Sequence, residues 1–256
     1  MLNAPDVSLL ITHYNRSASL ERLLTSLRGL QCNFAEVIVS DDGSKPEHRA
    51  RLEELRDEHG LTLVSTEVNR GLGNNLNKGQ DAVKTPFVIY VQEDFCPTSA
   101  FPQRFANALL MMKERDDLDV VRFFWQRRYP LLKPYKNGFS EMAFKLVHPG
   151  SQKYFCYSDT PHLRRSNFFQ RFGRYAEGIP AIKTEKSMVM SFLQSRGKAI
   201  ICDRSDSFIH ENSLQEPSTQ DYSGFFRIKS KFPEPVFDAI WTAKLTGELL
   251  FKRYRQ

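Results

Sequence analysis

The sequence predicts an α/β fold built on a mostly parallel central sheet, and three observations lead to this prediction. Short apolar, β-prone runs alternate with stretches of helical spacing through the first 125 residues. Such alternation is typical of a parallel sheet that carries helices on both faces. Acidic residues follow two of the apolar runs directly, at the strand ends where parallel sheets bind ligands.

The first half of the chain contains five predicted strands and four predicted helices in alternating order. The first helix has leucines from Leu20 to Leu30 at helical spacing. The second has capping-box spacing between Ser44 and Glu47, a proline in its first turn, and Gly60 at its end. The predicted strands are 7–12, 37–40, 61–66, 87–91 and 119–124, and the predicted helices are 20–30, 44–60, 72–84 and 101–115.

The second half of the chain is less regular. Three prolines and two glycines between residues 127 and 155 surround one predicted strand, 141–147, so this stretch is interpreted as an irregular insertion or a hairpin. Helices are predicted at 161–172 and 184–196, followed by a strand at 198–202. No repeat, low-complexity tract or clear linker appears, which favours a single domain.

Composition is that of an ordinary globular protein. Of the 256 residues, 41% are hydrophobic and 26% are charged, and the formal net charge is +6. The four cysteines are far apart with no CxxC pair, which disfavours a zinc site and predicts reduced thiols in the cytoplasm. We expect neither a signal peptide nor a membrane span. Nucleic-acid binding would rest on the basic charge alone and is not expected.

Four acids are predicted to gather at one edge of the sheet. Asp41 and Asp42 follow the second strand, and Glu93 and Asp94 follow the fourth. Mg²⁺ and Mn²⁺ prefer oxygen ligands and often share one or two carboxylates with substrate phosphates. The strand end at Glu93 and Asp94 is therefore well placed for a cation site, and the alternative is that these residues are solvated loop acids.

Four motifs in order carry a family resemblance. "VSLLITHYNR", "VIVSDDGS", "NRGLGNNLNKG" and "PFVIYVQEDF" together resemble the family 2 glycosyltransferases of the GT-A fold over roughly the first 125 residues. A dinucleotide-binding fingerprint is rejected, because Leu76 stands where a third glycine is needed and the segment follows the third strand. The resemblance implies a GT-A-like three-layer sandwich with an irregular C-terminal acceptor region.

The resemblance also implies a nucleotide-binding set. Asp42 would accept the N3–H of a uracil or thymine or bond the ribose, and the ring of Tyr14 would lie against the base. Asp41 is alternatively an acid that favours a helix N-terminus, and for Asn77 we favour a structural role. The implied nucleotide-binding residues are Thr12, Tyr14, Asn15, Asp41, Asp42, Asn69, Gly71, Asn77 and Glu93.

For the chemistry, the resemblance implies a metal and a base. Asp94 would bind Mn²⁺ or Mg²⁺, with His210 as a further ligand or else a packing residue, and Gln92 in place of an acid weakens the expected metal site. Glu185 is the candidate catalytic base, and the alternative is that it only complements the dipole of a helix N-terminus. Asp159 is the other candidate for the base.

These residues lead to one functional expectation. The chain is expected to be an inverting, metal-dependent hexosyltransferase that moves a sugar, most simply from a UDP-sugar, to a glycan or lipid-linked acceptor in bacterial surface polysaccharide synthesis. The alternative is a catalytically inactive GT-A-like nucleotide- or glycan-binding module. Residues 1–125 would hold the donor and 126–256 the acceptor and a C-terminal helix. That helix ends in basic residues, so it either docks on the core or contacts the inner face of a membrane.

Overall fold

The computed structural model describes residues 1–211, 230 and 232–254. The strands in chain order are β1 Leu2–His13, β2 Cys32–Asp41, β3 Thr62–Ser65, β4 Phe87–Gln92, β5 Phe95–Pro97, β6 Val120–Arg122, β7 Leu132–Pro134, β8 Phe139–Met142, β9 His162–Arg165, β10 Ala199–Cys202 and β11 Phe208–His210. The helices are α1 Ser17–Gly29, α2 Pro46–His59, α3 Leu72–Asp81, α4 Phe101–Glu114, α5 Phe168–Phe172, α6 Ala181–Gln194 and α7 Glu234–Phe251, with a 3-10 turn at Ser151–Tyr154.

A central sheet of nine strands organises the described part of the chain, and its order is β3-β2-β1-β4-β9-β6-β10-β8-β7. β1, β2, β3 and β4 pair in parallel, as do β6 and β10. β9 runs antiparallel between β4 and β6, and β8 runs antiparallel to β10 and β7. Seven of these nine strands therefore run in the same direction, which confirms the predicted mostly parallel sheet.

Two hydrophobic cores lie on opposite faces of this sheet. Alternate residues of β1 point to opposite faces, so Leu9 joins one core and Leu10 the other. The first core receives apolar side chains from α1, α2 and α4, and the second receives them from α3, α5, α6 and α7. Helices thus cover both faces, which confirms the three-layer arrangement.

Two predictions for the second half were wrong in part. Residues 162–165 form β9 rather than the start of a helix, and only Phe168–Phe172 is helical. The sequence His-Leu-Arg-Arg gives no apolar strand signal, but Arg164 is fully buried because tyrosines and a glutamine from other elements surround it. The predicted strand 141–147 lies instead at Phe139–Met142, since β10, its antiparallel partner, offers only four residues for pairing.

Candidate active site

The strand registers bring the predicted acids to one edge of the sheet. β1 lies between β2 and β4, with His13 opposite Asp41 and Thr12 opposite Gln92. The residues that follow β2 and β4 therefore leave the sheet at the same carboxyl edge, one strand apart. β9 begins at His162 opposite Tyr90, so the chain immediately before β9 approaches the same edge from the other side.

Asp41 belongs to a buried cluster that joins the first two loops of this edge. The Asp41 carboxylate contacts His13 Nδ1 at 2.8 Å and accepts hydrogen bonds from the Ser44 hydroxyl and backbone amide. Burial acts to raise the pKa of Asp41, but these hydrogen bonds outweigh it and the pKa is lowered. Ser44 thus serves Asp41 and does not cap α2, whose N-cap is Lys45 with no side-chain cap bond, so the predicted capping box was wrong.

Asp42 holds a different loop, the one that precedes α3. Its Oδ1 accepts the amide of Arg70 at 2.8 Å and its Oδ2 accepts the amide of Gly71 at 2.9 Å. Burial raises the pKa of Asp42 despite these two bonds. Each carboxylate oxygen has a second lone pair, so Asp42 can still accept a hydrogen bond from a ligand.

Close packing at Gly43 makes this corner sensitive to substitution. Gly43 has φ +68°, and a Cβ atom there would lie 2.4 Å from the backbone carbonyl carbon of Val68. Gly60 has a similar φ of +63° but open space around it. We expect Gly43→Ala to lower the free energy of unfolding by about 3 kcal/mol and Gly60→Ala by about 1 kcal/mol. Urea denaturation measures both, and equal losses would contradict the steric argument.

The other predicted nucleotide-binding residues lie around the same corner. The Thr12 hydroxyl is 2.9 Å from the Tyr90 hydroxyl, and half-buried Tyr14 follows at the end of β1. Asn15 has φ +54° and its Oδ1 accepts the amide of Lys45 at 2.7 Å. Asn69 is exposed, and its Oδ1 accepts the amide of Gly71.

Asn77 is directed elsewhere, towards the segment before α6. Its Nδ2 donates to the Tyr175 carbonyl at 2.9 Å and to Glu177 Oε1 at 2.7 Å, and its Oδ1 accepts the Tyr175 amide. Gly73 makes the close approach possible, since a Cβ there would lie 2.2 Å from the Ala176 carbonyl oxygen. Asn77 therefore joins α3 to the segment that precedes α6 in the second half of the chain.

Asp94 and His210 meet although they are 116 residues apart. The antiparallel pair of β5 and β11 sets His210 opposite Phe95, and the two rings stack with centroids 4.8 Å apart. His210 Nε2 lies 3.1 Å from Asp94 Oδ2. Arg16 Nη1 donates to the same oxygen at 2.7 Å and lies 3.9 Å from Glu93 Oε1.

This arrangement fits a cation that is shared with a substrate. Asp94 Oδ1 is buried and has no hydrogen-bond partner among the described residues. Burial acts to raise the pKa of Asp94, but hydrogen bonds from His210 and Arg16 outweigh it and keep the carboxylate ionised. The part of the chain that the structure describes holds no cluster of three or more His, Cys, Asp or Glu ligands. A cation here would need further ligands from water or substrate, as Mg²⁺ commonly has.

Asp159, just before β9, and Glu185, near the start of α6, form a second acidic pair. Glu185 Oε1 accepts the Ser158 hydroxyl at 2.9 Å and the Asp159 amide at 3.2 Å. The Asp159 carboxylate is 4% exposed, and its Oδ1 accepts the Tyr175 hydroxyl at 3.1 Å. Its Oδ2 is buried without a partner among the described residues. Glu185 is only half-buried, so of the two it is the carboxylate that a substrate can reach.

A buried polar network supports this pair from below. The Arg164 guanidinium, fully buried, donates to Gln80 Oε1 at 2.7 Å and to the Tyr175 hydroxyl at 3.2 Å. The Tyr175 hydroxyl in turn contacts the Tyr157 hydroxyl and donates to Asp159. A buried charge is tolerated when it is paired and hydrogen-bonded. Tyr175 connects the arginine to Oδ1 of Asp159, but this satisfies only one of the two oxygens of the acid.

Asp159 should make stability depend on pH. Burial, and then the nearby charge of Glu185, raise its pKa from 3.8 to about 7. Between about pH 4 and 7, Asp159 is therefore protonated in the folded state and ionised in the unfolded state. The free energy of unfolding consequently falls as the pH rises through this range. We expect Asp159→Asn to remove this pH dependence. Because each unit of pKa shift corresponds to about 1.4 kcal/mol, the variant should be more stable than wild type at pH 8 by a few kcal/mol. Thermal denaturation at pH 5 and pH 8 tests this, and parallel pH profiles would contradict it.

Several residues of this edge were not assigned from the sequence. His13 and Ser44 hold Asp41, Arg16 pairs with Asp94, and Tyr175 bonds Asp159. Arg16 directly follows the T-x-Y-N motif, which is a weak signal, but the sequence does not show that its partner lies 78 residues away.

Comparison with known proteins gives a family match. The family model described as "Glycosyl transferase family 2" matches residues 8–169, more than half of the chain. A poly-beta-1,6-N-acetyl-D-glucosamine synthase of Staphylococcus epidermidis is 31% identical over 88 residues, which are 34% of this chain and 21% of that protein. A GalNAc(5)-diNAcBac-PP-undecaprenol beta-1,3-glucosyltransferase of Campylobacter jejuni is 26% identical over 92 residues, 35% of this chain and 30% of that one. The chain thus spans less than a third of either relative.

Solved structures share the fold along almost the whole chain. The S. aureus TarS 1-349 complex with UDP-GlcNAc superposes with a TM-score of 0.63 at 17% identity, covering 96% of this chain and 71% of TarS 1-349. A mannosyltransferase from Pyrobaculum calidifontis in complex with GDP-Man and Mn²⁺ gives a TM-score of 0.55 at 14% identity, covering 97% and 76%. At these identities the likeness concerns the fold alone.

Proposed function

The chain belongs to glycosyltransferase family 2, and we propose that it transfers a sugar from a UDP-linked donor to a glycan or lipid-linked acceptor with inversion at the anomeric carbon. The observation that supports this most is the meeting of Asp42, Asp94 and Glu185 with its neighbour Asp159 at one edge of the sheet. Nucleotide, diphosphate and acceptor would then bind side by side.

The donor side consists of the loops that follow β1, β2 and β3. Tyr14 would lie against the base. Asp42 would accept a hydrogen bond from the base or ribose while it continues to accept those from the backbone amides of Arg70 and Gly71. Residues 1–125 would form the donor half and 126–256 the acceptor half. Support for UDP comes from the UDP-GlcNAc complex among the similar structures, and a GDP-Man complex in the same set makes guanine the competing base.

Asp94 and His210 would hold a Mn²⁺ or Mg²⁺ ion, and Glu93 would face the sugar or ribose. The unpartnered Oδ1 of Asp94 supports this assignment, and His210 Nε2, which lies 3.1 Å from Asp94 Oδ2, would lose its proton on binding the ion. A bound divalent ion would supply positive charge to the departing diphosphate. Arg16 would orient the Asp94 carboxylate and limit its negative charge when the site holds no ion.

Glu185 would act as the base. It would take the proton of the acceptor hydroxyl as that oxygen forms a bond to the anomeric carbon, while the bond from this carbon to the diphosphate breaks with its electron pair. Ser158 and the Asp159 amide hold Glu185 Oε1, and Oε2 makes no hydrogen bond to the described residues. Asp159 is the rival base, and its burial and raised pKa make it the weaker candidate.

The expected setting is bacterial surface polysaccharide synthesis in the cytoplasm. Two relatives by name make or extend such glycans, one of them on an undecaprenol-linked acceptor. All four cysteines are free thiols in the structure, as is usual in a reducing compartment.

A second candidate is a catalytically inactive module of the same fold that binds a nucleotide or glycan. Two observations favour it: Gln92 stands where the family motif often has an acid, and Asp94 is already paired with Arg16. Nucleotide binding without donor hydrolysis or transfer, under any divalent metal, would support this module.

A thermal-shift panel tests the proposal. UDP-GlcNAc, GDP-mannose and a dTDP-sugar are each added with and without Mn²⁺, because a ligand that binds the native state raises its stability. We expect a rise of about 5 °C or more with a UDP-sugar and Mn²⁺ near saturation, accompanied by release of free UDP. The absence of any shift with all three donors would overturn the proposal.

A further inference from the structure

The last helix of the described chain, α7, carries an apolar face that the other described residues leave exposed. Twelve large apolar side chains are exposed among the described residues, and five of them lie between residues 232 and 251. These five are Phe232, Val236, Ile240, Leu250 and Phe251, with Phe251 86% exposed. Val147, 92% exposed, and Leu146 add two more from the turn before the 3-10 segment.

This face is a continuous stripe along α7. At 100° per residue, Val236, Ala239, Ile240, Ala243, Gly247, Leu250 and Phe251 fall within about 120° of the helix circumference. Every one of them except half-buried Gly247 is exposed, and none is charged. The opposite side of the helix is occupied, since Phe237 is buried and Leu245 is buried within the second core. α7 is therefore apolar on both sides although only one side is covered.

α7 is firmly attached, so its exposed face has a fixed orientation. Glu248 forms a 2.7 Å ion pair with Lys186 of α6 and accepts the Tyr254 hydroxyl. Gln194 Nε2 donates to the Leu249 carbonyl at 2.9 Å. Near the other end, Asp238 accepts the amide of Ser151. The acids Asp238 and Glu248 are thus bonded on the protein side of the helix.

The charges around the stripe select the occupant. Lys244 lies at the border of the stripe, and Lys252 and Arg253 follow its exposed end. Glu234, in the first turn of α7, lies on the side of the helix away from the stripe and has Arg127 3.8 Å away. Apolar side chains flanked by cations match the interfacial zone of a bilayer that contains anionic lipid. If the stripes of two copies of the chain packed against each other, the lysines and the arginine beside each stripe would approach one another and repel.

We propose that the exposed stripe of α7 docks the protein on an anionic membrane surface, lying in the interface with Ile240, Leu250 and Phe251 inserted. None of the helices in the described ranges is long and apolar enough to cross a membrane, so the contact is peripheral. The proposal goes beyond the proposed sugar transfer and does not depend on it, because the docking needs no nucleotide.

Vesicle sedimentation tests the docking. The protein is mixed with phosphatidylcholine vesicles that either contain or lack phosphatidylglycerol. We expect it to pellet with the anionic vesicles and to be released as the salt concentration rises. The triple variant Ile240→Gln/Leu250→Gln/Phe251→Gln is expected to bind at least about tenfold more weakly. Leu110→Gln, at a residue 49% exposed on α4, is the matched control and should bind like wild type.

Two results would overturn the proposal. One is recovery of the wild-type protein in the supernatant with both kinds of vesicle. The other is a dimer in light scattering that the triple variant converts to a monomer, since the stripe would then bind a second copy. The thermal shift with a UDP-sugar should be the same in wild type and triple variant, so a failure of docking is distinguishable from a failure of the proposed activity.

Discussion

Asp94→Asn is expected to lower sugar transfer by about 100- to 1000-fold, the factor that corresponds to several kcal/mol of transition-state stabilisation by a metal ion. Asparagine retains an oxygen for Arg16 and fills the same space. We therefore expect a loss of about 1–3 kcal/mol in the free energy of unfolding, which leaves the domain folded. Transfer is measured as UDP release with acceptor present, and folding by the cooperativity of thermal denaturation.

A binding measurement separates the metal from the chemistry. In wild type, Mn²⁺ should increase the thermal shift caused by UDP, and this increment should disappear in Asp94→Asn. Asp81→Asn is the control, because Asp81 is an exposed acid paired with Arg174 and such pairs contribute little. Full transfer activity in Asp94→Asn would refute the metal assignment.

Glu185→Gln is expected to lower the turnover number by about 100- to 10,000-fold, the usual contribution of a positioned general base. Glutamine can still accept the hydrogen bonds from Ser158 and the Asp159 amide, so the loop should keep its shape. Because the proposed donor site lies in other loops, the Kd for the UDP-sugar, measured by calorimetry, should change by less than threefold.

Asp159→Asn provides the comparison within the same pair. If Glu185 is the base, Asp159→Asn should slow turnover much less than Glu185→Gln, since Tyr175 can still donate to the asparagine oxygen. A larger loss in Asp159→Asn than in Glu185→Gln would instead assign the proton transfer to Asp159. Equal and small losses would show that neither carboxylate is the base.

The first half of the fold could be predicted because its signals are local. The strands predicted at 37–40 and 87–91 lie inside β2 and β4, and the helix ending at Gly60 is α2, closed by that glycine in the left-handed conformation. In each case the apolar residues that predict the element and the residue that ends it lie within about fifteen positions of the sequence. The second half had no such pattern, and β9 was missed because its burial depends on residues from three other segments.

The candidate site divides in the same way. The sequence indicated that Asp42 and Asp94 follow parallel strands, and this alone implies a shared edge. It did not indicate that Asp41 is held by His13 and Ser44, since those hydrogen bonds depend on how two loops approach each other.

By itself, the sequence determined the strand and helix order of the first half, the family, and the acids available at the sheet edge, because short-range apolar periodicity and motif spacing carry that information. Only the tertiary structure decided that both His210 and Arg16 contact the Asp94 carboxylate. The same holds for the burial of Asp159 beside Glu185. These contacts join residues up to 116 positions apart. They arise from the packing of the strand pair β5–β11 and of the antiparallel β9, which no local pattern in the chain specifies.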